Sequence, residues 1–592
     1  MCGIVGYTGK NNGVPYLLDG LTQLEYRGYD SAGIAFFDSG KIHTVKKLGR
    51  VSELVAEAQN LCGQTGIGHT RWATHGKPSY QNAHPHTYGK FAVVHNGIIE
   101  NYLDLKLSLN ENFVSETDTE VISHLLQKNY NGDFLQTVAI TLKSLNGFFA
   151  LAILCEDYPN TVIVARRGNP ILLGQGNGEN YIASDLTALF KKTKMVYQLP
   201  ENSIGLVNPE NIYAYNCTDL SPLPLQSVNF DLSPQFMEIG KHESFMIKEI
   251  YECPRTFSDT VSNFYHNTDI VELINKISNA KKITIAGCGT AYHSAIVGKY
   301  LFERLARIPT EIDIASEYRY KNPIINKDDI FIAVSQSGET ADTIAATKLA
   351  KEQGAYVVVI TNVKYSSITN FADIVLTTLA GAEIGVAATK SYIGQIAVFI
   401  SLAIEMALTK GAETNKYRKK LLNVKNLIEN VLMENQHIRS IADEFINAEK
   451  VFFIGRNMDY AVALEGSLKL KEITYKHSEG YAAGELKHGT IALIDNKSLV
   501  IAIITQENIA DKTLNAVHEV KARGASTMLI TTLPRLYDTK EADCVLALPE
   551  IDEIFSPALA VIPTQLFAYH TARHLGKDPD KPRNLAKSVT VE

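Results

Sequence analysis

Residues 282–287 read Lys-Ile-Thr-Ile-Ala-Gly, and residues 450–455 read Lys-Val-Phe-Phe-Ile-Gly. Each run is apolar enough for a buried strand, ends in glycine and is followed by an alanine-rich helical stretch. Two further matching segments, 351–361 and 521–531, recur at nearly the same spacing, about 170 residues. We therefore predict two copies of one α/β unit.

The strands of both copies predict parallel sheets. Residues 355–360 and 499–504 are apolar throughout, which is typical of strands that helices cover on both faces. Because amphipathic helices alternate with these strands, we expect α/β domains with doubly wound parallel sheets. Ligands in such folds bind at the carboxyl ends of the strands.

The two copies differ after their second strand. The second copy continues as Thr-Gln-Glu-Asn-Ile at 505–509, whereas the first continues with Ser335, Gln336, Ser337, Gly338, Glu339 and Thr340. Hydroxyl groups and helix N-terminal N–H groups suit a phosphate dianion, and glycine lets the backbone approach it closely. We predict a phosphate site in the first copy only; the alternative is a serine-rich helix cap.

Up to about residue 225, short strands and turns alternate with a few helical stretches, which predicts a mixed α+β domain. Between residues 202 and 240 prolines recur and the helical periodicity disappears. The main domain boundary is therefore expected between residues 225 and 245.

Composition excludes several partner classes. The 592 residues are too many for one domain, and a net charge of −7 argues against nucleic acid and anionic membrane as partners. Residues 393–408 contain Gln395 and Glu405 and are too short to span a bilayer, which predicts a buried core helix.

Seven cysteines without a CxxC pair, and an N-terminus unlike a signal peptide, favour a cytoplasmic location. His84 and His86 are too isolated to form a ligand set, so neither a metal nor a cofactor is predicted.

Removal of Met1 would make Cys2 the first residue, so that this one residue carries both a thiol and a free α-amine. The amine, with a pKa of about 7.7 to 8.0, can accept the proton of a thiol whose pKa is about 8.5. Cys2 is therefore a candidate nucleophile, although a cysteine can also stand at this position by chance.

Other residues of the N-terminal domain also indicate a catalytic site. Arg71 offers a guanidinium to a carboxylate, and Asn96 with Gly97 offers the two donors of an oxyanion hole. Residues 115–120 place carboxylates before a helix, where a capping box is an equally good explanation.

These motifs resemble a known family. Residues 2–6, 27–33, 71–76, 95–97 and the acidic segment resemble the class II glutamine amidotransferase domain. The second half resembles tandem sugar isomerase (SIS) domains, and the whole chain is similar to the glutamine–fructose-6-phosphate aminotransferase family, whose C-terminal signature it shares.

The resemblance implies an N-terminal nucleophile (Ntn) αββα glutaminase domain over residues 2–225 and a linker over 226–245. It implies flavodoxin-like SIS domains over 270–412, which binds the sugar phosphate, and 441–578, and a catalytic tail over 579–592. The implied reaction converts L-glutamine and fructose 6-phosphate to glutamate and glucosamine 6-phosphate, with ammonia passed between two sites and no cofactor.

In the glutaminase site, the resemblance implies that Cys2 forms a glutamyl thioester while Asn96 and Gly97 hold the oxyanion. Arg71 is implied to bind the α-carboxylate of glutamine and Asp118 its α-amine. The remaining implied site residues are Trp72, Thr74 and His75, of which Trp72 stands where the family has an indole that gates ammonia passage.

In the sugar site, the resemblance implies that Lys587 forms a Schiff base with the ketose and that Glu472, steadied by Lys469, moves a proton between C1 and C2. Without it, the helix of Lys469 and Glu472 would be interpreted as a solvated charged surface. His488 is implied to open the sugar ring from the partner subunit, which implies a homodimer. The implied sugar-phosphate contacts are Thr290, Ser335, Gln336, Ser337, Thr340, Val386 and Ala387.

Two other classes of function remain open. An SIS-type isomerase or deglycase would have no use for Cys2, Arg71 and Asn96. A non-catalytic SIS regulator would keep the loop at 335–340 and need neither Glu472 nor Lys587.

Overall fold

The structure, a computed structural model, describes residues 2–73, 75–228 and 238–590. The chain divides into two compact units, of which the first comprises Met1–Pro234 with Ala586–Glu592 and the second comprises Gln235–Leu585.

The strands of the first unit are β1 (Gly3–Gly9), β2 (Ser31–Asp38), β3 (Lys41–Leu48), β4 (Thr65–Arg71), β5 (His86–Tyr88), β6 (Phe91–Ile99), β7 (Gly147–Cys155), β8 (Val162–Arg167), β9 (Leu172–Gln175), β10 (Glu179–Ala183), β11 (Met195–Gln198), β12 (Ser203–Val207), β13 (Ile212–Asn216), β14 (Pro222–Leu223) and β15 (Gln226–Val228). Its helices are α1 (Val14–Leu24), α2 (Val51–Ala58), α3 (Tyr102–Leu109), α4 (Glu120–Asn129) and α5 (Phe134–Lys143).

In the described part of the first unit, these strands form two antiparallel sheets, ordered β15-β11-β9-β10-β1-β4-β2-β3 and β14-β13-β12-β8-β7-β6-β5. Apolar side chains of both sheets, among them Ile4, Ile67 and Val94, pack together between them. Helices α1 and α2 cover the outer face of the first sheet, and α4 and α5 cover that of the second. This layering is the expected αββα arrangement.

The pairing of β1 with β4 positions the N-terminal cysteine. Gly3 lies opposite Thr70, so Cys2, just before β1, comes beside Arg71 at the end of β4. Because β1 and β4 are central strands, the backbone around Cys2 is held on both sides.

The strands of the second unit are β16 (Ile283–Gly287), β17 (Thr310–Ile314), β18 (Ile330–Ser335), β19 (Tyr356–Thr361), β20 (Ile374–Thr377), β21 (Lys450–Gly455), β22 (Ser478–Ala482), β23 (Ser498–Ile504), β24 (Ser526–Thr531) and β25 (Cys544–Ala547). Its helices are α6 (Phe245–His266), α7 (Ile270–Ser278), α8 (Thr290–Leu301), α9 (Ala315–Tyr318), α10 (Ala341–Glu352), α11 (Lys390–Thr409), α12 (Asn415–Leu421), α13 (Val424–Met433), α14 (Asn435–Glu444), α15 (Met458–Thr474), α16 (Ala510–Lys521) and α17 (Ser556–His574).

The second unit contains the two predicted α/β copies. Over its described residues the strands pair in parallel in two sheets, β17-β16-β18-β19-β20 and β22-β21-β23-β24-β25. The strand order is the same in both sheets, so the sequence repeat is a structural repeat. This confirms the predicted doubly wound parallel sheets.

Helix α11 contains the apolar run that was predicted to be a buried core helix. The helix is long and apolar enough to cross a membrane, yet most of it is buried inside the protein. Its side chains belong to the large apolar core of the second unit.

Candidate active sites

The thiol of Cys2 is held against the backbone of Trp72. Its Sγ accepts a hydrogen bond from the Trp72 N–H at 3.2 Å, and the thiol lies 3.6 Å from the Trp72 carbonyl oxygen. Burial raises the pKa of the Cys2 thiol, while the Trp72 N–H and the Arg71 guanidinium act in the opposite direction. The thiol therefore needs a base before it can attack as a thiolate.

Most of the predicted glutamine-site residues line one cavity beside this thiol. Its walls are formed by Cys2, Arg71, Trp72, His75, His84, His95, Gly97, Thr117, Asp118 and Thr119. The structure thus gathers residues from several separate segments of the chain. The predicted Thr74 lies outside the described residues.

Arg71 is buried with one nitrogen left unused. Its Nη2 donates to the carbonyl oxygens of His75 and Gly76, at 2.5 and 2.9 Å. Its Nη1 is buried and makes no hydrogen bond within the described chain. A buried donor of this kind is costly unless a ligand satisfies it, and a carboxylate matches the guanidinium best.

Asn96 and Gly97 also lie close to Cys2. The Asn96 Nδ2 donates to the Cys2 carbonyl oxygen at 3.0 Å, so the amide is adjacent to the thiol residue. Gly97 has a φ of +134°, and a Cβ there would lie 2.0 Å from the Phe148 carbonyl oxygen. Only glycine fits this position, and Gly97 is itself part of the cavity wall.

Asp118 is also buried in the cavity wall. Its Oδ2 accepts a hydrogen bond from the Ile99 N–H at 2.8 Å and lies 4.0 Å from His95 Nδ1. A carboxylate fixed in this way can pair with a cationic group of a ligand. The cavity therefore has a cation and an anion, as recognition of an amino acid requires.

Four buried histidines, His69, His84, His86 and His95, lie in or next to the cavity wall, and sequence reasoning missed their role. The rings of His69 and His84 stack with centroids 4.1 Å apart, and those of His84 and His86 are 4.7 Å apart. His95 and His84 both hydrogen-bond to the Thr119 hydroxyl, at 2.9 and 3.0 Å.

Burial lowers the pKa of all four imidazoles, that of His69 to about 3, so they are neutral near pH 7. Among the described residues, no group of three or more His, Cys, Asp or Glu side chains is arranged to hold a metal ion. His69 and His95 belong to different sheets and meet only when the two sheets pack together, so no local pattern could have identified this cluster.

The candidate sugar site begins at two neighbouring strand ends. Thr290 starts the helix after β16, and Ser335 is the last residue of β18. These strands are adjacent and parallel, with Ala286 opposite Ala333. Both hydroxyl residues therefore lie at the carboxyl edge of the first parallel sheet, where ligands of such folds bind.

The loop after β18 is organised around the Ser335 hydroxyl. Its Oγ accepts from the Gly338 N–H at 3.0 Å and lies 3.1 Å from the Thr340 Oγ1, while Ser337 Oγ accepts from the Glu339 N–H at 3.1 Å. Gly338 has a φ of +66°, and a Cβ there would clash with Ser366 at 1.9 Å. The loop leads into α10, whose first N–H groups suit an anion.

The second copy carries its own carboxylate at the equivalent strand end. Asp459, the second residue of α15, accepts from the backbone N–H of Thr505 at 2.9 Å and from its hydroxyl at 2.5 Å. In the first copy the second residue of the corresponding helix is Ala291. The Asp459 side chain occupies this strand end where the first copy has the small Ala291, which favours a phosphate site in the first copy alone.

Lys469 and Glu472 are not a solvated pair. Lys469 Nζ is buried, 2.6 Å from Glu472 Oε2, and donates to the Thr290 hydroxyl at 3.2 Å. Burial opposes the charge, but Glu472 and Glu465 outweigh it and raise the pKa of Lys469. The second copy thus places an ammonium and a carboxylate beside Thr290 of the first copy.

Glu465 and His293 belong to the same cluster and were missed. Glu465 accepts from the Thr290 hydroxyl at 3.0 Å and lies 2.8 Å from His293 Nδ1. Because positions 465, 469 and 472 share one face of a helix, the spacing was a usable signal for Glu465. His293, one turn after Thr290, carried the same signal.

The other predicted residues lie outside this cluster. Val386 and Ala387 are buried in the segment before α11, and the Val386 N–H donates to the Asp580 carbonyl oxygen at 3.1 Å.

His488 is exposed and makes no hydrogen bond or ion pair within the described chain. Lys587 is half-buried in the Ala586–Glu592 stretch, which belongs to the first unit. The backbone carbonyl oxygen of Gln336 accepts a hydrogen bond from the backbone N–H of Asn362.

Comparisons with known proteins agree with this layout. A glutamine amidotransferase domain model matches residues 69–191, and an SIS domain model matches residues 276–405 and 444–575.

The chain is 47% identical to a glutamine–fructose-6-phosphate aminotransferase [isomerizing] of Caldanaerobacter subterraneus subsp. tengcongensis and 44% identical to one of Aquifex aeolicus, with 100% of each chain covered. A solved C-terminal domain of glucosamine-fructose-6-phosphate aminotransferase from Francisella tularensis is 35% identical, with a TM-score of 0.56. The match covers 58% of this chain and 100% of the solved domain.

Proposed function

The chain belongs to the glutamine–fructose-6-phosphate aminotransferase (isomerizing) family, and we propose that it converts L-glutamine and fructose 6-phosphate into glutamate and glucosamine 6-phosphate. This is the amino-sugar-forming step of hexosamine biosynthesis. The glutaminase site releases ammonia from glutamine, and the sugar site adds it to the sugar and isomerises the product.

In the first unit, the α-amine of Cys2, freed by removal of Met1, takes the thiol proton. The thiolate attacks the side-chain amide carbon of glutamine, and Asn96 Nδ2 with the Gly97 N–H stabilises the oxyanion. Collapse of this intermediate expels ammonia, which carries away the proton, and water then cleaves the glutamyl thioester. Arg71 binds the α-carboxylate through the unused Nη1, and Asp118 binds the α-ammonium. Trp72, Thr74 and His75 are the further glutamine-binding residues of this proposal.

The loop of Ser335, Gln336, Ser337 and Thr340 binds the sugar phosphate, with Thr290 and the backbone near Val386 and Ala387 along the sugar. His488 of a second copy opens the ring, and Lys587 of the C-terminal tail forms an imine with the C2 carbonyl, which releases water. Ammonia displaces the lysine amine from this imine.

Glu472 then removes a proton from C1 and returns one to C2, which turns the ketose imine into an aldose with an amino group at C2. Lys469 stabilises the negative charge that develops on the sugar during this transfer. The hydrogen bond from Lys469 to Thr290, at 3.2 Å, keeps the ammonium at the sugar side of Glu472.

The observation that carries this proposal is the contact of Lys469 with both Glu472, at 2.6 Å, and Thr290, at 3.2 Å. An acid–base carboxylate with a buried ammonium beside a phosphate loop is what isomerisation needs, and a regulator that only senses sugar phosphates needs neither. The cavity at Cys2 is likewise unused in a simple isomerase.

The proposed domains are the glutaminase domain at residues 2–225 and the SIS domains at 270–412 and 441–578, and the three family-model matches fall within these ranges. The proposed linker at 226–245 lies partly outside the described residues. We also propose that the protein acts in the cytoplasm. We propose a homodimer because His488, the ring-opening histidine of this proposal, is exposed and has no hydrogen bond or ion pair among the described residues.

The test is to mix the purified protein with glutamine and fructose 6-phosphate and to follow glutamate and glucosamine 6-phosphate together. We expect both products in equal amounts, and no amino sugar when either substrate is omitted. Glutamate formed without amino sugar would contradict the transferase function.

A further inference from the structure

We propose that His69 is a positioning residue of the glutaminase site, which holds the side-chain amide of Asn96 with its NH₂ group toward Cys2. The proposal rests on the proposed function, since it concerns one donor of the oxyanion hole. His69 lies on β4, two residues before Arg71, and is fully buried.

The backbone carbonyl oxygen of His95 determines which ring nitrogen of His69 carries the proton. The Nε2 atom lies 2.9 Å from the carbonyl oxygen of His95, and a carbonyl oxygen can only accept. His69 must therefore carry its proton on Nε2. Its Nδ1 is buried without a hydrogen-bond partner in the described chain, which fits an unprotonated nitrogen.

The same Nε2–H determines which way the Asn96 amide points. It lies 3.1 Å from one terminal atom of that amide, and a donor there requires this atom to be the oxygen. The opposite terminal atom lies 3.0 Å from the Cys2 carbonyl oxygen, so it must be the NH₂ nitrogen. If the amide were rotated by 180°, its NH₂ group would face the His69 N–H, and its oxygen would face the Cys2 carbonyl oxygen. Neither pair can form a hydrogen bond.

One hydrogen of this NH₂ group bonds Cys2, and the second is left for a ligand. The backbone of the same residue is fixed too, because Asn169 Nδ2 donates to the Asn96 carbonyl oxygen at 3.0 Å. His69 thus secures only the side-chain part of the donor. Burial keeps the imidazole neutral by lowering its pKa to about 3, so the direction of these bonds is unchanged near pH 7.

The test replaces His69 in two ways. His69→Phe keeps a ring but removes the N–H, whereas His69→Gln can return an amide N–H to the place of Nε2. Loss of an oxyanion-hole donor costs about 10²–10³-fold in kcat. We expect His69→Phe to lower kcat of glutamine hydrolysis by about 10- to 10³-fold with KM changed little, and His69→Gln to recover most of the rate.

A second readout separates positioning from general damage. Alkylation of Cys2 by iodoacetamide proceeds without a tetrahedral oxyanion, so His69→Phe should alkylate at the wild-type rate. The matched control is His124→Phe, which removes another buried histidine of the first unit and should leave both rates near wild type. In an Asn96→Ala background, His69→Phe should cause little further loss, because the group it positions is gone.

A wild-type kcat in His69→Phe, or equal losses in hydrolysis and alkylation, would overturn the assignment of His69 alone. Full additivity of the His69 and Asn96 changes would also overturn it. If the wild-type protein does not hydrolyse glutamine at all, the proposed function fails and this proposal fails with it. The unmodified protein therefore distinguishes the two failures.

Discussion

The carboxylate of Asp459 accepts hydrogen bonds from both the backbone N–H and the hydroxyl of Thr505, at 2.9 and 2.5 Å, at the carboxyl edge of the second parallel sheet. Burial raises the pKa of Asp459 to about 7, even though Thr505 favours the charged form. The ligand-binding edge of this copy is thus filled by a side chain of the protein.

This pKa makes stability depend on pH. Because the folded state holds the Asp459 proton more tightly than the unfolded state, the stabilisation is full below pH 3.8 and is lost as pH rises through about 7. The rise from 3.8 to about 7 corresponds to a difference on the order of 4 kcal/mol.

Relative to wild type, Asp459→Asn should therefore gain stability between pH 4 and pH 8. Thermal unfolding across this range measures the difference, with the exposed Asp538→Asn as control. A difference between wild type and Asp459→Asn that is independent of pH would contradict the prediction.

Cys2→Ala should abolish glutamine hydrolysis and glutamine-dependent amino-sugar synthesis, because no thioester can form. We expect a loss of at least about 10³-fold in glutamate release, with the melting of the second unit unchanged. The control is Cys62→Ala, which removes an exposed thiol and should be silent. Retained synthesis from glutamine in Cys2→Ala would remove Cys2 from the mechanism.

Glu472→Gln should stop the transfer of the sugar proton while preserving the shape of the site. General acid–base catalysis contributes about 10²–10⁴-fold, so amino-sugar formation should fall by that factor. Glutamine hydrolysis should persist, because it occurs at a separate site. The exposed neighbour Lys471 provides the control variant Lys471→Met. Loss of both activities in Glu472→Gln would indicate a folding defect instead.

Lys587→Ala should prevent formation of the sugar imine. Wild-type protein incubated with fructose 6-phosphate and borohydride should gain the mass of the reduced adduct at Lys587, because hydride reduces the imine to a stable amine. The variant should gain no such mass, while Lys577→Ala, at an exposed lysine nearby in sequence, should label normally. Unchanged amino-sugar synthesis in Lys587→Ala would exclude this lysine.

The role of His488 in a second subunit can be tested by complementation. His488→Ala and Glu472→Gln should each be inactive in sugar amination, yet their mixed dimers would contain one site with neither change. With random pairing in a two-fold symmetric dimer, about a quarter of the wild-type activity should return. No recovery on co-expression would place His488 in its own subunit's site or outside the mechanism.

The fold was predictable because its signals are local. Apolar strand runs that end in Gly287 and Gly455 are sufficient to predict two parallel sheets, and the structure contains them in the same strand order. The types of the site residues were also predictable, since Cys2, Arg71 and Gly97 line one cavity. Individual roles in catalysis stay predictions until the variants are measured.

Contacts between distant segments were not predictable. Thr290 and Glu465 lie 175 residues apart and meet only because the two copies face each other. The bond between His69 and Asn96 joins β4 and β6, which belong to different sheets, and no sequence pattern specifies which residues meet between the two sheets. Sequence reasoning saw a charged helix at Lys469 and Glu472 but could not determine that this ammonium is buried.

The sequence by itself determined the class of the fold, the repeat and the identity of the chemical groups, since strand and helix periodicity depend on neighbouring residues. Only the tertiary structure decided that the strand end of the second copy is filled by Asp459, that Arg71 keeps an unused buried nitrogen and that His69 orients Asn96. Burial, pKa and hydrogen-bond direction depend on groups that folding brings from far along the chain, and a linear pattern does not contain them.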